Sequence, residues 1–224
     1  MSVNIYPISL GVAQCYVIQD KGAIMIDAGA PGKINFFLKS IESLGIKPND
    51  IKLIIPTHGH WDHIGSAKDI KEITGARIAI HHREKEWLEK AQKNIPPAVT
   101  PWGHIISKTL GFLLPLIRFP AAKVDIILED EDFSLAEFGI PGKIIYTPGH
   151  SPGSVSVLLE TGDAFVGDLA MSSFPLRLSP GLPIFANDIK EVKNSLKLLL
   201  DKGAKTIYPA HKKSFSAELI QTFL

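Results

Sequence analysis

The sequence predicts an α/β (α+β) protein of two similar halves, with sheets inside and helices outside. Short apolar runs bounded by turn residues alternate with stretches of helical period along the chain. Both halves run strands first and then a helix, and both end strands in loops that bear histidine. The composition is that of an ordinary globular chain. Of 224 residues, 45% are hydrophobic and 21% charged, enough to bury a core without a disulfide or a structural metal.

The elements follow in order. "NIYPISL", "AQCYVIQD" and "GAIMIDAG" read as three consecutive strands, the last two joined by the tight turn "DKG". "GKINFFLKSIESLG" is an amphipathic helix, because Ile34, Phe37, Leu38, Ile41 and Leu44 recur at helical spacing and Gly45 stops it. "IKLIIPT" is a buried strand that runs straight into "THGHWDHIG", residues 57–65. "SAKDIKEITG" is a helix capped by Ser66 and ended by Gly75. "ARIAIHH" is a strand and "REKEWLEKAQK" a helix. Residues 94–122 are rich in proline and apolar side chains and read as an insertion with one short apolar helix in "HIISKTLGFLLPLI". "KVDIIL", "GKIIYTP", "SVSVLLE" and "DAFVGD" are strands. "DIKEVKNSLKLLLDKG" is a helix with Asn187 or Asp188 near its cap, "AKTIYPAH" a final strand, and a short helix closes the chain.

Composition also limits the partners. Lys and Arg number 24 against 23 Asp and Glu, a net charge of +1, so no global field draws the protein to nucleic acid or to a membrane. A small-molecule substrate is expected instead. Cys15 is the single cysteine; it cannot form an intrachain disulfide or a thiolate cluster, and it reads as a buried, inert thiol. The opening "MSVNIYPISLG" lacks the charge and apolar run of a signal peptide. The most apolar stretch, "IISKTLGFLLPLIRFPAA", is interrupted by Lys108, Arg118, Gly111 and two prolines and is short for a transmembrane span. A cytoplasmic location is the expectation.

The chemistry gathers where predicted strands stop. His58, His60, Asp62 and His63 follow "LIIPT"; His150 lies in "YTPGHSPGS"; Asp168 in "FVGDLA"; His211 in "IYPAHKKS". A strand end is a rigid mount for a ligand loop. Residues two apart in such a loop point the same way, so His58 and His60 can share one ion while Asp62 and His63 face another. Imidazole and carboxylate suit zinc, and also iron and manganese. One ion would leave several groups spare; two ions use all seven.

With these motifs, in this order and preceded by "IMIDAGAPG", the chain resembles the metallo-β-lactamase-fold hydrolases over nearly its whole length. The resemblance implies a single domain over residues 1–224, a four-layer αββα sandwich with metals at one edge between the sheets, and residues 94–122 as an apolar insertion. It implies His58, His60 and His150 on one metal, Asp62, His63 and His211 on a second, Asp168 bridging both, and Asp27 supporting ligands from behind. An all-His/Asp set is similar to the type II glyoxalase and lactonase branch.

The expected chemistry is hydrolysis of a small ester, thioester or lactone by a hydroxide held between two divalent ions, with Asp62 orienting it and carrying a proton to the leaving group. Type II glyoxalases carry a C-terminal helical segment for glutathione; this chain ends thirteen residues after His211, so different recognition is expected. The alternatives are a phosphodiesterase or nuclease of the same fold, a mononuclear-iron persulfide dioxygenase and a non-catalytic binding module. Residues 94–122, with Trp102, Ile105, Ile106, Leu110, Phe112, Leu113 and Leu114, form an apolar lid, a homodimer interface or both, the alternative being that they pack the core. Trp61 is either packing or recognition. His81, His82 and His104 read as structural, and Lys212 and Lys213 as a solvated turn or an anion-attracting pair.

Overall fold

The computed structural model of the protein describes residues 3–172, 177–211 and 213–224. The first half lays six strands side by side in chain order: β1 (Asn4–Ser9), β2 (Gln14–Gln19), β3 (Ala23–Ile26), β4 (Ile51–Ile55), β5 (Arg77–His81) and β6 (Ile126–Leu128). β1 to β3 form an antiparallel meander, and β3 to β6 run parallel. The connections dictate this. Tight turns suit antiparallel neighbours, whereas a parallel pair needs a crossover. Helix α1 (Ile34–Ser43) fills the first crossover; a single turn, α2 (Trp61–Ile64), and α3 (Ala67–Thr74) fill the second; α4 (Lys85–Glu89) and α5 (Pro101–Leu113) lie in the third.

The second half repeats the plan. β7 (Phe133–Ser134), β8 (Gly142–Tyr146), β9 (Val155–Leu159) and β10 (Asp163–Gly167) are antiparallel neighbours. Helix α6 (Ile189–Asp201) then carries the chain to β11 (Thr206–Pro209), parallel to β10, and β12 (Phe215–Ser216) closes the sheet.

The two-residue period of a strand sorts side chains into layers. In β2, Tyr16 and Ile18 join Leu53, Ile55, Val157 and Phe165 between the sheets, while Cys15 and Val17 face Phe37 and Ile41 of α1. In β10, Phe165 points between the sheets, and Ala164 and Val166 pack under Val192, Leu196 and Leu199 of α6. Helix, sheet, sheet, helix is therefore the observed order, the αββα sandwich. Tyr16 spans the gap: its ring meets Phe165 edge-on at 4.9 Å, and its hydroxyl donates to the Pro209 carbonyl at 2.9 Å.

Several local expectations need correction. Ser66 does not cap α3 with its side chain; its Oγ donates to the Ala30 carbonyl and accepts the Lys33 N–H, a tertiary use of a hydroxyl that sequence pattern cannot show. "REKEWLEKAQK" is helical only over Lys85–Glu89. The insertion helix starts earlier than its apolar period suggests, at Pro101, because Thr100 Oγ1 accepts the Gly103 N–H and Pro101 occupies the first turn. The closing helix is a 3₁₀ turn, Ala217–Thr222. β7 and β12, two residues each, carry too little pattern to be read. Cys15 is fully buried, and that burial raises its thiol pKa well above the usual value.

The topology sets the site. β3 and β4 end together, as do β10 and β11, and β8 points the same way as β10 because β9 is antiparallel to both. At this edge the Val155 N–H donates to the Thr57 carbonyl at 2.8 Å, stitching one half to the other. Among the described residues, no helix is long and apolar enough to cross a membrane.

Adjacent phenylalanines test the layer assignment. Phe37 is fully buried and Phe36 is 59% exposed. Phe37→Ala should lower unfolding free energy by about 3–5 kcal/mol in urea titrations, whereas Phe36→Ala should cost about 1 kcal/mol or less.

Candidate metal centre

The site begins with the carboxylate of Asp27, at the end of β3. Its backbone takes a left-handed φ of +59°, a conformation that aspartate tolerates better than most residues. The buried carboxylate accepts the Thr57 N–H at 2.7 Å and the Thr57 hydroxyl at 2.9 Å, and lies 3.0 Å from His63 Nδ1. Thr57 Oγ1 in turn stands 3.1 Å from His58 Nδ1. Gly167, at the end of β10, closes on the same threonine; a Cβ there would sit 2.4 Å from Thr57 Oγ1, and its φ is +53°. Asp27 thus sits behind the histidines, touching Thr57 and His63.

The seven residues singled out at strand ends come together. The ligand atoms of His58, His60 and His150 lie within 4.8 Å of one another, and so do those of Asp62, His63 and His211; His58, His63 and Asp168 make a third such group between them. α2 explains the division of the histidine loop. His60 is its N-cap residue in extended backbone, so His58 and His60 precede the turn while Asp62 and His63 ride on it. Asp168 Oδ2 is 3.2 Å from His211 Nε2 and 3.6 Å from His150 Nε2, and its Oδ1 is 3.6 Å from His63 Nε2.

Three inner atoms of this cluster make no hydrogen bond. His58 Nε2, His63 Nε2 and Asp168 Oδ1 are buried with no hydrogen bond. An unsatisfied buried polar atom costs about 1–3 kcal/mol, and three converge on one space. The outer nitrogens are occupied: His150 Nδ1 donates to the Phe185 carbonyl at 2.8 Å, which turns its Nε2 inward. Ligating histidines show this arrangement, one nitrogen held and the other presented. The residues present therefore fit divalent metal. The donors are imidazole and carboxylate alone, a set compatible with zinc, iron or manganese.

Electrostatics divide the five histidines into two sets. Burial, then the neighbouring imidazoles, hold the pKa of His58 and of His60 well below the usual value, and burial also lowers that of His150. These three are neutral, the form that binds metal. Burial opposes protonation of His63 too, but Asp27, Asp62 and Asp168 outweigh it and lift it to about 10. His211 is likewise raised, burial being outweighed by Asp168. Asp168 stays ionised against the penalty of burial because His211 and His63 face it.

Glu84 escaped the reading of the sequence. It is fully buried in a 3₁₀ turn after β5. One carboxylate oxygen accepts the N–H of Gly59, between His58 and His60; the other accepts the N–H of Gly153 at 2.8 Å, three residues beyond His150. Burial raises its pKa, opposed by hydrogen bonds from Ser151, Gly153 and Gly59. A single side chain so ties a ligand loop of each half. A Cβ at Gly153 would lie 2.8 Å from Glu84 Cγ, so this approach requires glycine. "HHREKEW" gives no periodic sign of it, because the partners are backbone groups 25 and 69 residues away. Trp87, also unforeseen, stacks on His60 at 5.8 Å.

A cavity of about 480 Å³ opens over the cluster. His60, Asp62, His150, Asp168 and His211 face it from below, and Trp61, Ile95, Trp102, Ile106, Leu110 and Phe185 line its walls. The 94–122 segment thus stands across the site. Phe112 and Leu114 do not line the cavity, which departs from the lid alternative for these two; Phe112 is 84% exposed on the far side of α5.

The remaining histidines lie elsewhere. His81 Nε2 is 3.1 Å from Asp130, its ring stacks on Tyr146, and Arg83 shares the same aspartate. His82 pairs with Glu129 at 2.7 Å. His81, His82 and Asp130 also bring ligand atoms within 4.8 Å, but the Arg83 guanidinium on Asp130 opposes a cation there. His104 is exposed on α5 and Lys213 is exposed; Lys212 lies outside the described residues.

Comparisons with known proteins agree with this picture. Residues 8–211 match the family profile of the Metallo-beta-lactamase superfamily. The chain is 31% identical over 157 residues to the probable metallo-hydrolase YqgX of Bacillus subtilis, covering 69% of this chain but only 64% of that protein's length. It is 26% identical to the hydroxyacylglutathione hydrolase GloC of Haemophilus influenzae, over 78% of this chain and 77% of that one. The crystal structure of ST1585, an archaeal metallo-beta-lactamase superfamily protein from Sulfolobus tokodaii, superimposes with a TM-score of 0.71 at 25% identity, covering 99% of this chain and 85% of that one.

Removing Glu84 should loosen both loops at once. Glu84→Ala leaves two buried N–H groups without acceptors and should cost about 2–5 kcal/mol in urea unfolding. Chelator competition should show metal affinity weakened by roughly 10- to 100-fold. Glu84→Gln, which keeps one acceptor, should fall between it and the unaltered protein on both measurements.

Proposed function

The chain belongs to the metallo-beta-lactamase superfamily, and on that premise we propose that it is a metal-dependent hydrolase of a small ester, thioester or lactone. The observation that carries the reading is the convergence of His58 Nε2, His63 Nε2 and Asp168 Oδ1, buried and without hydrogen bonds, beneath an apolar cavity. In this reading His58, His60 and His150 hold one divalent ion and Asp62, His63 and His211 a second, with Asp168 between them. Zinc is the first choice, with iron or manganese as further candidates. Ions bound there supply Lewis acidity and bring the deprotonation of water into the neutral range.

The chain's own groups do the rest. Asp27 and Thr57 hold His58 and His63 in orientation, and the Phe185 carbonyl holds His150. Asp62 lines the cavity and keeps 14% of its side chain exposed. It is thus the carboxylate able to take a proton and pass it to a leaving group. Trp61, Trp102 and Phe185 exclude water around the reacting carbonyl and give an acyl or aromatic group its contact area.

Similarity to the Haemophilus hydroxyacylglutathione hydrolase supports thioesters within the class. The cavity lining supports carbonyl substrates over phosphodiesters, since among the described residues that line it none is lysine or arginine. A polyanionic substrate would meet no cationic side chain there. An oxygen-dependent single-iron reaction would leave the Asp62, His63 and His211 group without a task.

His58→Ala and Asp168→Ala should each lower bound metal, measured by plasma mass spectrometry, and hydrolysis of a thioester, lactone and ester panel, by more than about 100-fold for activity. Full activity after exhaustive chelation, or turnover of bis(p-nitrophenyl) phosphate above every acyl substrate, would refute the reading. Within the panel, Leu113→Ser at the cavity wall should raise KM for an octanoyl ester roughly five- to tenfold over that for an acetyl ester.

A further inference from the structure

α5 is apolar on nearly every side, yet of its thirteen residues only Gly103 is buried. Ile106 and Leu110 rest against Met171, Ile184 and Phe185. The opposite side is bare. Ile105 and Phe112, two turns apart on one stripe, are 57% and 84% exposed, and Leu116 in the following turn is 77% exposed. Ile105 and Leu113 are both exposed and part of the cavity wall, so the strip runs from the outside of the helix over the rim and into the site. A stripe of this kind marks a surface that is covered in use.

The charge around it says by what. Residues 90–122 contain Lys90, Lys93, Lys108 and Arg118 and no aspartate or glutamate. Lys90 is paired with Glu86 at 2.9 Å; among the described residues no carboxylate pairs with Lys93, Lys108 or Arg118. Lys93 Nζ is fastened to the carbonyls of Leu114 and Ile117, which fixes its charge at the end of the helix. Lys108 falls between Ile105 and Phe112 on the exposed side. A two-fold contact with a second copy would set these cations against themselves with no anion to receive them. An anionic surface with an apolar interior answers both features.

We propose that this face docks on a lipid surface bearing anionic headgroups, with α5 lying along the interface and the cavity rim at the acyl boundary. The tail of an amphiphilic substrate then enters the cavity over Ile105 and Leu113; that second step rests on the hydrolytic reading, whereas the docking does not. The net charge of +1 conceals the patch, because it is an average over the whole chain.

The test is flotation of the metal-loaded full chain with phosphatidylcholine vesicles, with and without about 30% phosphatidylserine, in about 0.05 and 0.5 M salt. Binding is expected to the anionic vesicles at low salt and to fall several-fold without phosphatidylserine or at high salt. Phe112→Ser with Leu116→Ser, and separately Lys108→Glu with Arg118→Glu, should each reduce it roughly tenfold or more. None of these four lines the cavity, so their melting temperatures should match the unaltered protein and report intact folding. A protein that binds the vesicles but hydrolyses no acyl substrate supports the docking and refutes the function proposed above. Absence of vesicle binding, or binding unchanged in both double variants, overturns the docking. A dimer in sedimentation velocity that Phe112→Ser with Leu116→Ser dissolves overturns it as well, and gives the face to a second copy.

Discussion

Strands that stop at a common edge leave backbone N–H groups that no sheet partner takes up, and the carboxylate of Asp27 takes up the one on which the site depends. It accepts from Thr57 at both backbone and hydroxyl, and the same group faces His63. The first histidine loop is therefore set by a hydrogen bond to the residue before His58. Everything further round follows: α2 turns because His60 remains extended, and the turn separates Asp62 and His63 from His58 and His60. The positive φ of Asp27 is part of the same constraint. A residue held in that conformation persists when its surroundings over-determine it, and here three contacts converge on one side chain.

Glu84 supplies the corresponding constraint between the halves. Asp27 orders the loop from within the first sheet; Glu84 fixes its distance from the loop of His150 in the second. Both are buried carboxylates set behind imidazoles. Their oxygens accept from Thr57, Gly59 and Gly153, so the ligand loops are held by acceptors while three inner atoms of the cluster make no hydrogen bond. Like-charged imidazoles at this separation are tolerable only if most are neutral, and burial drives His58, His60 and His150 that way.

Much of this was legible in the sequence, for an identifiable reason. Ligand residues sit at strand ends, and strands announce themselves through β-branched apolar runs, so His58, His150, Asp168 and His211 could each be placed beside a predicted strand. Two repeats of the same strand-and-helix order suggested sheets inside and helices outside, and the family resemblance implied the four layers. What could not be read is whatever depends on contacts distant in sequence. Glu84 looks like any charge on a helix start. Ser66 looks like a cap and instead bonds Ala30 and Lys33. Phe112 looks like a lid residue because its apolar character is visible but its direction is not; that direction depends on where α5 begins, which the capping by Thr100 decides.

The insertion shows why an average and a surface must be reasoned about separately. Ile106 and Leu110 of α5 pack on Met171, Ile184 and Phe185, and the apolar residues of the helix serve two directions at once. Those turned inward give the cavity its walls. Ile105, Phe112 and Leu116, turned outward, are exposed, and among the described residues no carboxylate pairs with Lys93, Lys108 or Arg118. A helix built only to close a cavity would carry polar residues on its outer side, as α6 does, where Lys190, Glu191, Lys197 and Asp201 face water and Val192, Leu196 and Leu199 face the sheet. α5 departs from that pattern on the side that α6 leaves polar. The difference between these two thirteen-residue helices of one chain is the physical ground for treating the rim as a contact surface as well as a wall.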